Sequence, residues 1–170
     1  MARKPKYKKN TRVDGWDFRK RLGFGGNAEV WCAEKNNEIG AIKVLKYIRE
    51  STYTRFKSEV NAIVNNQDIE GVIKILDYNL PNDIQQSLPW YVMPVGTTFS
   101  EWRENKDVLY VLQEMLVLGD TLKNLHDRSY YHRDIKPANI LFIEGRLHLA
   151  DFGLVKYPRS NNFTEEGNDL

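Results

Sequence analysis

The sequence predicts an α+β fold in which a strand-rich first half precedes a mainly helical stretch. Three observations carry this. Residues 16–48 hold short apolar and aromatic runs split by turn formers, the pattern of strands. The period then changes at residues 51–66, where Phe56, Val60, Ile63 and Val64 share one helical face while Arg55, Lys57 and Asn61 fall elsewhere. From Asp107 onward, Leu109, Leu112, Met115, Leu116, Leu122 and Leu125 recur at helical spacing, predicting a long amphipathic helix with one buried face.

Residues 18–22, 29–33 and 40–47 are the first three expected strands, with Lys35-Asn36-Asn37-Glu38 as a hairpin connection. Residues 72–76 and 90–93 read as two more, on either side of a turn at Pro81-Asn82-Asp83. The first half is therefore expected to be a five-stranded antiparallel sheet with one helix. Thr98-Phe99-Ser100-Glu101 has the spacing of a capping box for a short helix. Glu144-Gly145, between the apolar runs 141–143 and 147–149, predicts a hairpin after the long helix.

A chain of 170 residues with 41% hydrophobic and 28% charged residues suits one globular domain. The formal net charge of +2 argues against a general nucleic-acid binder, so no specific nucleic-acid partner is expected. Arg3, Lys4, Lys6, Lys8, Lys9 and Arg12 crowd the start, and residues 1–15 read as a basic, flexible terminus. No run approaches the roughly 18 apolar residues needed to span a bilayer. The single Cys32 cannot form an internal disulfide, which fits a reducing compartment such as the cytoplasm. Its strand-like setting gives it a small apolar packing role.

Chemistry concentrates in three places. His132-Arg133-Asp134-Ile135-Lys136-Pro137-Ala138-Asn139 is followed, twelve residues after Asn139, by Asp151-Phe152-Gly153. Two carboxylates, an amide and an ammonium are the groups needed to handle a nucleotide phosphate and its magnesium; Asn139 and Asp151 are hard oxygen donors suited to that ion. Leu22-Gly23-Phe24-Gly25-Gly26-Asn27-Ala28-Glu29-Val30 lies between two expected strands. Glycines there let backbone N–H groups approach phosphate oxygens, although any hairpin can hold such glycines. Lys43 ends Gly40-Ala41-Ile42-Lys43 and either lies on a solvated strand face or points into a cleft. Glu59, sixteen positions later on the expected helix, is its candidate partner and favours the cleft. Lys46 reads as a solvated strand residue.

Together these segments resemble the eukaryotic-type protein kinases in the serine/threonine style, over about residues 16–156. The resemblance implies a kinase small lobe over 16–93, a hinge over 94–97 and a partial large lobe over 98–157. It implies ATP and Mg²⁺ as cofactors, with Asn139 and Asp151 as metal ligands. It assigns Asp134 to orienting a hydroxyl and accepting its proton, Lys136 to the transferring γ-phosphate, and Lys43 with Glu59 to an ion pair serving the other phosphates. Gly23, Gly25 and Gly26 would lie over the phosphates; Ala28 stands where the family has a third glycine. Leu22, Val30 and Ala41 would cover one adenine face and Leu141 the other. Pro94 and Gly96 would meet the ring edge by their backbones, Met93 would stand at the back, and Ser100 near the ribose. His132 would be structural, Arg133 would receive a phosphate from the activation segment, and His126 and His148 would have no ligand role.

The implied partner is a protein substrate bearing a serine or threonine hydroxyl, and the resemblance leaves the oligomeric state open. Small-molecule kinases share the Asp…Asn spacing but usually lack residues matching Arg133 and Lys136, which disfavours that class without removing it. No Ala-Pro-Glu follows Asp151, and residues 158–170 are polar, as in a truncated and mobile activation segment. An incomplete kinase domain is therefore expected, with an apolar underside bare of packing partners. A non-catalytic nucleotide-binding module stays open as an alternative.

Overall fold

The computed structural model describes residues 6–157. In chain order the elements are β1 (Arg12–Val13), β2 (Trp16–Phe24), β3 (Ala28–Lys35), β4 (Glu38–Leu45), α1 (Glu50–Val64), β5 (Asp77–Asn79), β6 (Trp90–Met93), β7 (Thr97–Thr98), α2 (Phe99–Arg103), α3 (Val108–Asp127), β8 (Ile140–Ile143) and β9 (Arg146–Leu149), with a single 3-10 turn at Pro137–Asn139. One antiparallel sheet has the order β1-β2-β3-β4-β6-β5, and a smaller one the order β7-β8-β9.

Both expected hairpins form, for the same local reason. Asn36 and Asn37 take left-handed φ values of 52° and 68°, and Glu144 and Gly145 take 48° and 88°. Two successive left-handed residues turn the chain with a twist matching that of the flanking strands. The registers Lys35↔Glu38 and Ile143↔Arg146 close directly on these turns.

The large sheet is buried on both faces. One face packs α1 through Leu45, Phe56, Val60, Ile63 and Tyr91. The other holds Tyr7, Phe18, Trp31, Val44 and Trp90. All four residues of β6 are buried in consequence, with no alternation. The expectation of a flexible stretch over residues 1–15 needs correcting for its described part, residues 6–15. Tyr7 is 8% exposed, and β1 adds a sixth strand beside β2 where five were expected. Lysines 6, 8 and 9 remain exposed, while Tyr7 and Val13 turn inward. Charge density therefore did not report on packing. Residues 1–5, and the expected mobile segment at 158–170, lie outside the described residues.

Residues 72–76 do not form the expected strand. Val72 makes one parallel bridge to Leu149, and the Ile73 N–H donates to the Leu149 carbonyl at 3.0 Å. The ladder strand β5 begins only at Asp77. Val72 and Ile73 are buried because they join the main core to β9, where apolar residues are needed without a sheet.

The capping box expected at Thr98 forms, and α3 has a side-chain cap of its own. Thr98 Oγ1 accepts the Glu101 N–H at 3.4 Å, and Glu101 Oε2 accepts the Thr98 N–H at 3.2 Å, the reciprocal capping box. Asp107 Oδ1 accepts the N–H groups of Leu109 and Tyr110 at the start of α3. The buried side of α3 is Glu114, Leu118, Thr121 and Leu125. Leu109, Leu112, Met115 and Leu116, expected on the buried face, are exposed instead. The helix is held by polar groups: Glu114 accepts from Arg146 Nη1 at 2.7 Å and from the Leu147 N–H at 3.3 Å, and Thr121 Oγ1 donates to the Glu70 carbonyl at 2.7 Å. These contacts rotate the Leu109–Leu116 side away from β9. Among the described residues no helix is long and apolar enough to cross a membrane.

Candidate active site

A cavity of ≈ 530 Å³ opens beneath the loop joining β2 to β3 and reaches the 3-10 turn at Pro137–Asn139. β4 presents Lys43 to it, opposite Val30 in the β3–β4 register. Lys43 Nζ lies 2.5 Å from Glu59 Oε1 on α1 and 3.2 Å from Asp151 Oδ1. The Tyr91 hydroxyl donates to the same Glu59 oxygen at 2.7 Å. Glu59 is thus fixed from two sides on a helix face otherwise given to Phe56, Val60 and Ile63.

The second half of the site is a short polar chain. Lys136 Nζ lies 2.6 Å from Asp134 Oδ2. Asn139 Nδ2 donates to that oxygen and to the Asp134 carbonyl, each at 2.9 Å. The Ala150 N–H donates to the Asn139 carbonyl at 2.9 Å, which sets Asp151 beside the turn. Arg133 and Asp151 hold left-handed φ values of 60° and 62°, uncommon for residues other than glycine. Such strain persists where surrounding contacts over-determine the backbone. Here the contacts are Arg133 Nε donating to the Leu154 carbonyl at 2.8 Å and the Gly153 N–H donating to Asp151 Oδ1 at 3.4 Å.

His132 braces this chain from below. It is 2% exposed, with its ring edge-on to Phe152 at 4.8 Å. Its Nε2 faces the Ala150 carbonyl at 3.1 Å, and its Nδ1 accepts the Asp134 N–H at 3.3 Å. A carbonyl only accepts and an N–H only donates, so this geometry requires the neutral tautomer protonated at Nε2. Burial, the largest influence, holds the imidazole below its ordinary value in agreement.

Electrostatics separate the cavity's charged groups. Burial pulls the Lys43 ammonium down, but Glu59 and Asp151 together outweigh it and hold Lys43 above its ordinary value. Burial pushes Glu59 up, against the opposing pull of Lys43 and Tyr91. Burial also works to raise Asp151, yet Lys43 prevails and keeps it below the usual carboxylate range. The anionic form of Asp151 is therefore favoured, 3.2 Å from the Lys43 ammonium.

The expected site residues divide into two groups. Gly23, Gly25, Gly26, Val30, Lys43, Glu59, Asp134, Lys136, Asn139 and Asp151 all line the one cavity. Leu22, Ala41, Met93, Pro94, Gly96 and Leu141 do not. Ala41 pairs directly with Met93 and both are buried in the core, and Gly96 backs onto Leu141 and Ile143. Leu22 and Ser100 are exposed, as is His126, while His148 is half-buried. Sequence reasoning missed Tyr91, which no local pattern marked as a partner of Glu59. It also misplaced Lys46: instead of lying in solvent, this side chain is 2% exposed. Its ammonium bonds the Gly25 carbonyl and sits 3.9 Å from the centroid of the Phe24 ring. The only available signal was position, just past the end of β4, where alternation ceases to apply.

The donor set suits a hard divalent ion. Asn139 commits its Nδ2 to Asp134, and its amide oxygen is an acceptor. Among the described residues no cluster of three His, Cys, Asp or Glu side chains exists. Asn139 and Asp151 could offer two oxygen donors to such an ion, fewer than a caged structural metal takes.

Lys43 with Glu59, and Asp134 with Asn139 and Asp151, thus meet at one cavity. The family model described as the protein kinase domain matches residues 16–167, and the chain belongs to that family. It is 32% identical over 161 residues to the serine/threonine-protein kinase ppk35 of Schizosaccharomyces pombe, covering 86% of this chain and 25% of that protein. It is 30% identical over 167 residues to the serine/threonine-protein kinase PknA of Corynebacterium glutamicum, covering 90% of this chain and 35% of that protein. Similarity to the mouse dual specificity protein kinase TTK is 26% over 156 residues, 85% of this chain and 17% of that protein. The chain thus spans about a quarter of the length of the first of these relatives.

Proposed function

We propose that the cavity binds Mg·ATP and that this chain carries the machinery for phosphoryl transfer to serine or threonine hydroxyls of proteins. The observation behind this is the convergence of Lys43, Asp134, Lys136, Asn139 and Asp151 on one cavity under a glycine-rich loop. Lys43, kept in register by Glu59 and Asp151, supplies positive charge where nucleotide phosphates would lie. Asn139 and Asp151 would hold the magnesium ion, which when bound offsets the charge of the phosphate oxygens. Asp134, held by Asn139 and Lys136, would orient the incoming hydroxyl and take its proton; such transfer asks for positioning more than for basicity. Lys136, already 2.6 Å from Asp134, would stand beside the migrating phosphoryl group and offset its charge.

Lys136 and the names of the relatives favour a protein substrate over a small metabolite. Leu22, Ala41, Met93, Pro94, Gly96 and Leu141 would serve the adenine ring next to the cavity. The lone Cys32, free and half-buried, fits the cytoplasm.

The test measures Mg·ATP binding by titration calorimetry and γ-phosphate transfer to serine, threonine and tyrosine peptides. Asp134→Asn should keep binding and lose transfer, while Lys43→Met should weaken binding. Binding without any transfer by the parent chain would instead support a non-catalytic nucleotide module. Equal transfer by parent and Asp134→Asn would end the role given to Asp134.

A further inference from the structure

The side chain of Lys46 and the segment carrying Tyr7 stand outside the machinery above; the first attaches to the loop that roofs the cavity, the second to the strands beside it. The Lys46 ammonium bonds the Gly25 carbonyl and rests on the Phe24 ring, and the Lys46 N–H donates to the Asn27 carbonyl at 2.8 Å. The Gly25 N–H closes the loop on itself through the Ala28 carbonyl at 3.0 Å. Phe24, Gly25 and Asn27 all line the cavity. A buried ammonium without a carboxylate partner is costly, so one held by a carbonyl and an aromatic face marks a position with a purpose.

The preceding residue, Leu45, receives a second anchor. The Tyr7 hydroxyl donates to the Leu45 carbonyl at 2.7 Å. That hydroxyl is pushed up to about 12, by burial first and by Glu29 second, so it remains a donor throughout the neutral range. Next to it, the Lys6 N–H donates to Glu29 Oε1 at 2.7 Å, and the Trp31 indole donates to Glu29 Oε2 at 3.0 Å. Glu29 is fully buried one residue after Ala28, where the loop enters β3. The segment around residues 6–7 therefore grips both the strand leaving the loop and the strand end that carries Lys46.

We infer that residues 6–7 and Lys46 form a latch that sets the height of the glycine-rich loop over the cavity, making Lys46 a positioning residue for the nucleotide. The latch rests on the nucleotide reading for its purpose, but its mechanics do not depend on any ligand. Tyr7 holds the Leu45 carbonyl, Lys46 holds the Gly25 carbonyl, and one peptide unit joins the two. Releasing the Tyr7 contact should loosen the Lys46 contact.

Two readouts separate the latch from its purpose. Amide exchange at Gly25 and Lys46 in the nucleotide-free chain reports loop closure, with core amides of β4 as the control for folding. Mg·ATP titration reports the consequence for the site. Lys46→Met should speed Gly25 exchange roughly tenfold, the value of a lost charge-assisted hydrogen bond, and weaken Mg·ATP by a similar factor. Lys46→Arg should restore most of both. Tyr7→Phe should move both in the same direction by a smaller factor, and adding it to Lys46→Met should change little further, since the two act in series. Unchanged Gly25 exchange in Lys46→Met, or full additivity of the pair, overturns the latch. Accelerated Gly25 exchange in Lys46→Met, with a parent chain that binds no Mg·ATP, would keep the latch and overturn the nucleotide reading instead.

Discussion

Replacing Glu59 tests whether the Lys43–Glu59 contact is a functional pair kept at a cost to stability. The Glu59 side chain is 4% exposed and that of Lys43 12%, with 2.5 Å between their charged atoms. Removing one partner from a buried pair costs about 3–5 kcal/mol, chiefly because the other charge is stranded. Here Asp151 remains at 3.2 Å from Lys43 and is itself 46% exposed, so it relieves part of that cost. Against this, the fully buried Tyr91 hydroxyl loses its acceptor, at about 1–3 kcal/mol. The two corrections nearly cancel, which puts Glu59→Ala at about 4 kcal/mol. For a chain of this size that is a fall in Tm of roughly 8–16 °C. Glu59→Gln keeps the volume and an acceptor for Tyr91, and should cost about half as much. Urea unfolding supplies the free energies and calorimetric titration the Mg·ATP affinity. The decisive variant is Lys43→Met with Glu59→Leu. Apolar residues of similar volume should recover the part of the loss that comes from the stranded Lys43 charge, though not the part from the Tyr91 hydroxyl, while nucleotide affinity stays at the Lys43→Met level. If Glu59→Ala unfolds within about 1 kcal/mol of the parent, the pair is not the buried contact its geometry indicates.

Three further outcomes follow from single residues. Asp151→Asn should weaken Mg·ATP at least tenfold while ATP without magnesium binds almost unchanged; equal losses with and without the ion would remove Asp151 from the metal site. Gly71→Ala should destabilise by at least ~2 kcal/mol, since its φ is +84° and a Cβ would stand 2.2 Å from Thr121 Oγ1; a Tm within error of the parent contradicts this. Acidification should weaken the fold from about pH 6.5 downward through His132. Its pKa is lowered in the folded state by burial, so the unfolded chain takes the proton first and the stability present above pH 6.5 is lost as pH falls. A His132→Gln variant with the same Tm-versus-pH slope over pH 7 to 5 would show that another group sets it.

Local chemistry made much of this legible. Asn36-Asn37 and Glu144-Gly145 turned where their sequences indicated because left-handed φ is a property of a few residue types. Thr98 and Asp107 capped their helices because an oxygen at that offset meets free N–H groups whatever surrounds it. The cavity residues were readable for a different reason: Asp134, Lys136, Asn139 and Asp151 lie in the segments that carry the resemblance to the protein kinases, and the fold brings them to one cavity. Strand limits were less secure. Residues 72–76 have strand-like composition, but a ladder needs a partner edge, and the neighbour offered there is a single bridge to Leu149.

The sequence by itself determined the α+β order, the two hairpin turns and the Thr98 cap, because each depends on contacts within a few residues. Only the tertiary structure decided which side of α3 is buried, that residues 6–13 cover the outer face of the sheet, that Tyr91 holds Glu59, and that Lys46 leaves solvent for the Gly25 carbonyl. Each of these joins groups far apart along the chain or across the sheet. A lysine's composition and period are the same in water and under a loop; what differs is the partner, and partners are assigned by the packing of the whole.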